Sequence, residues 1–224
     1  LLRFDKTTLV FNAFYTMTTD AGVAQIGTGS MFDQKPMEYS KTDLGYAGTQ
    51  HTAFTSTQFG HFWVDAKRSA VFELANGDGG INEISQGYSV FFNNNLPFFI
   101  LKDFPTFPVD NNYKDIGITL VWDNKFDRLL ITKLDYQLNA SKRHLVVDKL
   151  EDITTTGIVY LDTDTHNGIY LVHVTFETRL PVYQLTKLEF TDTEYFCNKS
   201  WTIGYSPATK TWISFYSFTP NYFI

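Results

Sequence analysis

The chain has 224 residues, a net charge of −6 and a hydrophobic content of 43%, which is typical of a globular protein that buries a core. The acidic balance argues against a protein that binds nucleic acid by neutralising its phosphates. A single cysteine, Cys197, excludes an intrachain disulfide framework and fits folding in a reducing bacterial cytoplasm.

Short apolar or alternating runs, rich in β-branched and aromatic residues, predict strands along the whole chain. Turn-forming residues separate these runs, for example at 76–80 and 163–168. Only residues 88–93 have a pattern compatible with a helix. The clearest predicted strands are residues 9–14, 61–66, 70–74, 118–123, 129–133, 157–161, 169–176 and 212–218. We therefore predict an all-β fold.

A hairpin pattern recurs at three positions, with Asp65, Asp123 and Ser206 as its anchors. Each anchor follows an apolar residue and precedes five mostly polar or small residues, and a new apolar run begins six residues on. This is the pattern of a strand that ends at a turn-forming side chain before a short loop and a returning strand. Asp164 fits the pattern more loosely, and Asp5 fits it with a shorter loop.

The spacing of the anchors favours a β-propeller-like array of antiparallel hairpins, with a β-sandwich or barrel as the alternative. Asp123 and Asp164 lie 41 residues apart, and Asp164 and Ser206 lie 42 apart, close to the blade repeat of about 40–50 residues. The anchor-flanking tryptophans are expected to supply blade or sheet cores, with at least two of them largely buried. They are Trp63, Trp122 and Trp212.

An aromatic segment, residues 88–115, interrupts this array. Its prolines exclude a central strand, and its rings would be costly to leave in water. We expect them to contact a neighbouring chain or another part of a longer protein, the alternative being that the segment folds back on its own propeller. The rings are those of Phe91, Phe92, Phe98, Phe99, Phe104 and Phe107. The domain prediction is one propeller-like region, residues 1–224, with this insertion; because Leu1 and not Met comes first, we expect a segment of a longer protein.

Catalytic and metal-binding patterns are weak, and we expect no enzyme, no cofactor and no metal. The five histidines form no zinc motif. Residues 162–168 hint at a calcium loop, but they lack its full spacing and closing Glu, so a polar hairpin turn is preferred. Asp65, Asp123 and Asp135 could be read as the paired carboxylates of a glycosidase, although two of them are already explained as hairpin anchors.

Several stretches resemble the muzzle, the large tail-tip protein of crAss-like phages, which is in turn similar to the tail nozzle proteins of short-tailed phages. The most specific match is SWTIGYSP at 200–207 with KTWISF at 210–215 and Pro220-Asn221, where Gly204 departs from the Ser of that pattern. TDLGYAGTQH at 42–51, FGHFWVDAKR at 59–68 and RLLITKLDY at 128–136 also match. Residues 137–192 carry no motif of the family.

The resemblance implies a structural virion protein that forms a ring of copies with propeller folds, closes the distal tail channel and gates ejection. It implies contacts with other tail proteins, and with translocating DNA or cargo proteins that are not bound tightly. It supplies no catalytic residues, no membrane span and no cofactor. The localisation implied is the virion tail, after synthesis in the host bacterial cytoplasm.

A carbohydrate-binding or carbohydrate-cleaving β protein is the alternative function. Its sugar would stack on an exposed tryptophan, and the candidates are Trp63, Trp122, Trp201 and Trp212. The hairpin pattern argues against this reading, because those tryptophans recur where a blade core needs bulk.

Overall fold

The computed structural model describes residues 50–75, 80–178 and 180–223, and for the chain before residue 50 it describes only the backbones of five strands. Asp5, residues 76–79 of the predicted turn, and residues 42–49 of the resemblance lie outside the described residues. The all-β prediction is confirmed: strands dominate, every pairing between them is antiparallel, and no sheet among those described closes on itself. One α-helix, α1 (Ser89–Asn95), is described, where the sequence predicts a helix.

The chain divides into two compact units. The first comprises residues 1–97 and 207–210, so it contains the start of the aromatic segment; residues 98–115 belong to the second. The strands of the first unit are β1 (Leu2–Arg3), β2 (Thr8–Val10), β3 (Phe14–Thr19), β4 (Gly22–Gly27), β5 (Met37–Glu38), β6 (Phe54–Ser56), β7 (Gly60–Asp65), β8 (Ala70–Ala75) and β9 (Ile81–Glu83). The single propeller-like region stays a prediction.

The largest sheet of the first unit is a four-stranded meander in the order β6–β7–β8–β9. β7 is central, and both of its faces are covered, because the neighbouring residues Phe62 and Trp63 are fully buried although they point to opposite faces. Trp63 lies opposite Phe72 in the ladder and stacks on it with ring centroids 5.7 Å apart. Leu74 and Ala70 complete this core.

The second unit comprises residues 98–206 and 211–224. Its strands are β10 (Gly117–Asp123), β11 (Arg128–Leu134), β12 (Tyr136–Leu138), β13 (Thr156–Asp162), β14 (Asn167–Glu177), β15 (Leu180–Lys187), β16 (Phe196–Asn198), β17 (Trp201–Ser206) and β18 (Thr211–Tyr216). The described residues also form short 3-10 helices, which are Gln86–Tyr88 in the first unit and Ile100–Lys102, Asn112–Lys114, Arg143–Leu145 and Leu150–Asp152 in the second.

The main sheet of the second unit has the order β10–β11–β17–β18, so its two middle strands are separated in sequence by residues 135–200. This insertion forms a three-stranded sheet, β13–β14–β15, and a two-stranded ladder, β12–β16. Ile153, Val159, Tyr170 and Val172 form the core of the three-stranded sheet. The two four-stranded sheets have the strand number and antiparallel pairing of propeller blades, but a propeller, a sandwich and a barrel all remain predictions.

Candidate functional site

The three predicted anchors each end a strand. Asp65, Asp123 and Ser206 are the last residues of β7, β10 and β17, and the connections that follow are residues 66–69, 124–127 and 207–210. The predicted strand ends are therefore confirmed. That these hairpins are repeats of one blade stays a prediction.

The three connections also share a backbone conformation. In each, the last residue before the returning strand is left-handed, with φ of 58° at Ser69, 49° at Asp127 and 53° at Lys210. The left-handed backbone conformation costs free energy for any L-amino acid other than Gly, so it persists only where the turn requires it. The loosely fitting hairpin differs: β13 ends at Asp162, and none of the described residues 163–166 has a positive φ.

The anchor carboxylates hold their turns. Asp65 Oδ1 accepts hydrogen bonds from the backbone N–H groups of Lys67, at 3.0 Å, and Arg68, at 3.1 Å. Asp123 Oδ1 accepts one from the Lys125 N–H at 3.1 Å. These are the local side-chain bonds that make Asp a turn residue, so they explain why an Asp stands at the end of both strands.

None of the three predicted tryptophans is mostly exposed, in agreement with the prediction that at least two of them are largely buried. Trp63 is fully buried, and Trp122 and Trp212 are partly exposed. The difference in burial follows from strand order. Trp63 lies on β7, an inner strand of the sheet of the first unit, while Trp122 and Trp212 lie on β10 and β18, the outer strands of the main sheet of the second unit. An outer strand has a neighbour on one side only, so its side chains are covered less.

The aromatic segment is largely packed within the chain's own units. Phe92 is buried in the first unit, and Phe98 and Phe104 are buried in the second. In this conformation these three rings have little surface left for a neighbouring chain, because the chain itself covers them. The other three rings, those of Phe91, Phe99 and Phe107, are half-buried, and for them a partner contact stays a prediction.

A buried ion pair holds the segment in the second unit. Lys133 and Asp135 are both 0% exposed, and Lys133 Nζ lies 2.6 Å from Asp135 Oδ2. The same carboxylate accepts a hydrogen bond from the Phe99 N–H at 2.7 Å and one from the Tyr136 N–H at 2.9 Å. The Lys133 ammonium also lies 4.7 Å from the centre of the Phe98 ring, within the range of a cation–π contact.

Burial acts on both members of the pair. It raises the pKa of Asp135, and the Lys133 charge opposes that rise. It lowers the pKa of Lys133, and Asp135 opposes that fall. Two charges taken out of water are tolerated only when each has close partners, and here the partners include the backbone of the aromatic segment.

Exposed apolar side chains form one candidate contact surface at the edge strand β18. Ile213 is 51% exposed and Phe215 is 52% exposed. Tyr205 pairs with Trp212 and Gly204 with Ser214, so Ile213 has no opposite residue in this ladder. An outer strand with apolar side chains can pair with a further strand or bind an apolar partner surface.

A second candidate surface is the hairpin tip, which we define as residues 174–177 and 180–183. The β13–β14 ladder ends at Thr156–His173. The Val174 N–H still donates to the Thr155 carbonyl at 2.8 Å, and from Thr175 on β14 pairs with β15 alone among the described strands. Phe176 is 65% exposed and Leu180 is 68% exposed. Because Phe176 pairs with Pro181 and Leu180 with Glu177, the two lie on opposite faces of the ribbon. A two-stranded ribbon cannot bury both faces by itself.

The proposed glycosidase pair is not brought together within the second unit. Asp123 ends β10 opposite Arg128, whereas Asp135 follows Leu134, which pairs with Gly117 at the other end of the same ladder. Strands of seven residues span about 20 Å at ~3.4 Å per residue. Catalytic carboxylates of glycosidases are separated by about 5–9.5 Å. Asp123 instead binds Arg128 Nε at 2.8 Å.

The calcium-loop hint corresponds to a polar hairpin turn between β13 and β14. Asn167 Nδ2 donates to Asp162 Oδ1 at 2.6 Å, and the Thr163 N–H donates to the His166 carbonyl at 2.8 Å. His61 and His173 bond to neighbouring strand hydroxyls. Across the described ranges, no group of three or more His, Cys, Asp or Glu side chains is arranged to hold a metal ion.

Comparisons with known proteins add no relative. No family model matches the chain, and no match was found among curated proteins or solved structures. None of the helices in the described part of the chain has the length and apolar content needed to cross a lipid bilayer.

Proposed function

We propose that the chain is a structural component of a phage virion tail, of the muzzle or nozzle type, and that it works by assembly and not by catalysis. In this proposal copies surround the tail channel, close its distal end and gate ejection of DNA and cargo proteins. Other copies and other tail proteins are its partners, and it resides in the virion tail after synthesis in the host cytoplasm. The proposed propeller-like array is its scaffold.

The exposed hairpin tip is the observation that carries this proposal. Phe176 and Leu180 present apolar groups on both faces of a ribbon that has no described third strand to cover them. At about 25 cal/mol per Å² of apolar surface, a neighbouring copy that covers them gains free energy for association. The apolar edge strand β18 offers a second contact surface of the same kind.

Charge supports the channel role. The net charge of −6 disfavours tight binding of a polyanion, so DNA would pass a ring of these chains with little adhesion. The similarity of the three hairpin connections supports repeated blades, since each has its left-handed residue at the same position.

The test is assembly of the purified chain, measured by sedimentation velocity and negative-stain electron microscopy. The variant Phe176→Ser/Leu180→Ser should stay monomeric at concentrations where the unmodified chain forms rings. Phe126→Ser is the matched control, because Phe126 is also apolar and is 59% exposed but lies in the connection between β10 and β11, and it should still assemble. Rings formed by the double variant, or no assembly by the unmodified chain, would contradict the proposal.

The second candidate function is carbohydrate binding. The buried Trp63 is unavailable for stacking on a sugar, whereas Trp122, Trp201 and Trp212 are partly exposed. A cleft in the second unit, lined by aromatic and polar side chains, favours carbohydrate binding.

A further inference from the structure

A cleft of about 260 Å³ opens in the second unit. The start of β14 and the end of β15 form part of it, together with the loops that carry Phe107 and Phe190. Its volume lies just below the range of about 300–1,000 Å³ for pockets that hold drug-sized ligands. It therefore suits a ligand of one or two rings.

Two aromatic rings in the cleft are fixed by other rings. The centroids of Phe107 and Phe190 lie 5.8 Å apart, with the rings nearly perpendicular. Phe107 also packs on Tyr160 at 5.0 Å, and Phe190 stacks on Tyr136 at 4.7 Å. Rings held in this way are preorganised, so little side-chain entropy is lost when a ligand packs on them.

The polar side chains of the cleft are balanced in charge. Lys187 Nζ lies 3.4 Å from Glu189 Oε1. Lys114 donates to Asn167 Oδ1 at 3.4 Å, and its neighbour in sequence, Asp115, also lines the cleft. Two ammonium groups and two carboxylates thus face one space, and neither an anion nor a cation meets an excess of opposite charge there.

We infer that this cleft binds a neutral saccharide. Sugar hydroxyls both donate and accept hydrogen bonds, so a mixed set of ammonium, amide and carboxylate groups can serve them without a net charge on the ligand. The apolar face of a sugar ring packs on aromatic rings. The inference rests on the second candidate function, carbohydrate binding, and is independent of tail assembly.

The experiment is a titration of the full chain, labelled with 13C on its Phe rings, with D-glucose, D-galactose, D-mannose and N-acetyl-D-glucosamine, followed by NMR. At least one sugar should shift the ring signals of Phe107 and Phe190. Glu189→Gln and Lys187→Met should each weaken binding about fivefold, the effect of losing one hydrogen bond of ordinary net strength. The matched controls Glu177→Gln and Lys149→Met change exposed residues that do not line the cleft and should bind as the unmodified chain does.

Three results would overturn the inference. They are no shift with any of the four sugars, equal binding by the cleft variants and the controls, and a larger shift with inorganic phosphate than with any sugar. If binding is instead lost in Trp212→Ala, the sugar site is at the edge strand and the cleft assignment is wrong. Ring assembly is measured separately, so its failure and the failure of sugar binding are distinguishable.

Discussion

The buried Lys133–Asp135 pair leads to the sharpest stability prediction. Asp135→Ala leaves the Lys133 ammonium fully buried without its carboxylate, and removal of one partner of such a pair costs about 3–5 kcal/mol. The N–H groups of Phe99 and Tyr136 lose an acceptor in the same variant. A chain of this size should then lose about 6–20 °C in Tm, from ~2–4 °C for each kcal/mol.

Urea unfolding followed by circular dichroism measures this cost, and limited trypsin digestion locates it. Lys102 lies in the segment that the pair holds and is exposed, so cleavage after Lys102 should accelerate in Asp135→Ala. The double variant Lys133→Met/Asp135→Asn is the control. It removes both charges at similar volume and keeps a side-chain carbonyl that can accept from the backbone N–H groups, and replacement of a buried pair by uncharged residues is often close to neutral.

A loss of less than about 1 kcal/mol in the free energy of unfolding of Asp135→Ala, the net value of one ordinary hydrogen bond, would contradict this prediction. The prediction also fails if the double variant is as unstable as the single one, because the cost then comes from lost packing and not from an uncompensated charge. Unchanged cleavage after Lys102 in a destabilised Asp135→Ala chain would show that the pair does not hold the segment.

Three further outcomes are expected. Trp63→Ala should cost about 3–5 kcal/mol in urea unfolding, as for a fully buried ring, and Trp212→Ala clearly less; equal costs would contradict the sheet-order explanation. Asp127→Gly should raise the free energy of unfolding by about 0.5–1 kcal/mol, because Gly adopts the left-handed backbone without strain, although the unfolded chain gains some entropy. A lower free energy of unfolding in this variant would show that the Asp127 side chain stabilises the turn. Burial raises the pKa of Glu73 from 4.5, with Lys210 opposing, so its stabilising contribution is complete below pH 4.5 and is lost as pH rises through the raised pKa. Glu73→Gln should therefore gain stability relative to the unmodified chain between pH 4 and pH 7, and a gain toward acid pH would refute this.

Local chemistry explains why the hairpins could be predicted. Asp65 and Asp123 bond to backbone N–H groups two or three residues away, so the sequence around each carries the whole turn. The half-burial of Trp122 and Trp212 could not be predicted in the same way. It depends on which strands are outermost in the sheet, and β11 finds its neighbour β17 only across residues 135–200.

The ion pair and one strand were missed for different physical reasons. Lys133 ends a predicted strand, where a charged residue normally faces solvent, and the partner that covers Asp135 is the backbone of Phe99, 36 positions away. β15 was not among the predicted strands, and it contains Pro181, a residue that is rare within strands. Pro181 is tolerated at the second position of an outer strand, where its missing N–H leaves little unsatisfied.

The insertion between β11 and β17 has a consequence for the order of folding. Its two ends are tied together: Asp135 N–H donates to Ser200 Oγ at 3.1 Å, the Lys199 N–H donates to the Asp135 carbonyl at 2.8 Å, and Tyr136 pairs with Asn198. Joining distant strands carries an entropic cost that grows with the loop between them. Once the β12–β16 ladder, the stem of the insertion, has formed, β11 and β17 are already adjacent. Their pairing then carries little further loop-closure entropy. The insertion is therefore closed at its base by the stem, while Asp135 and Arg143 within it bind Phe99 and Asp103 of the aromatic segment.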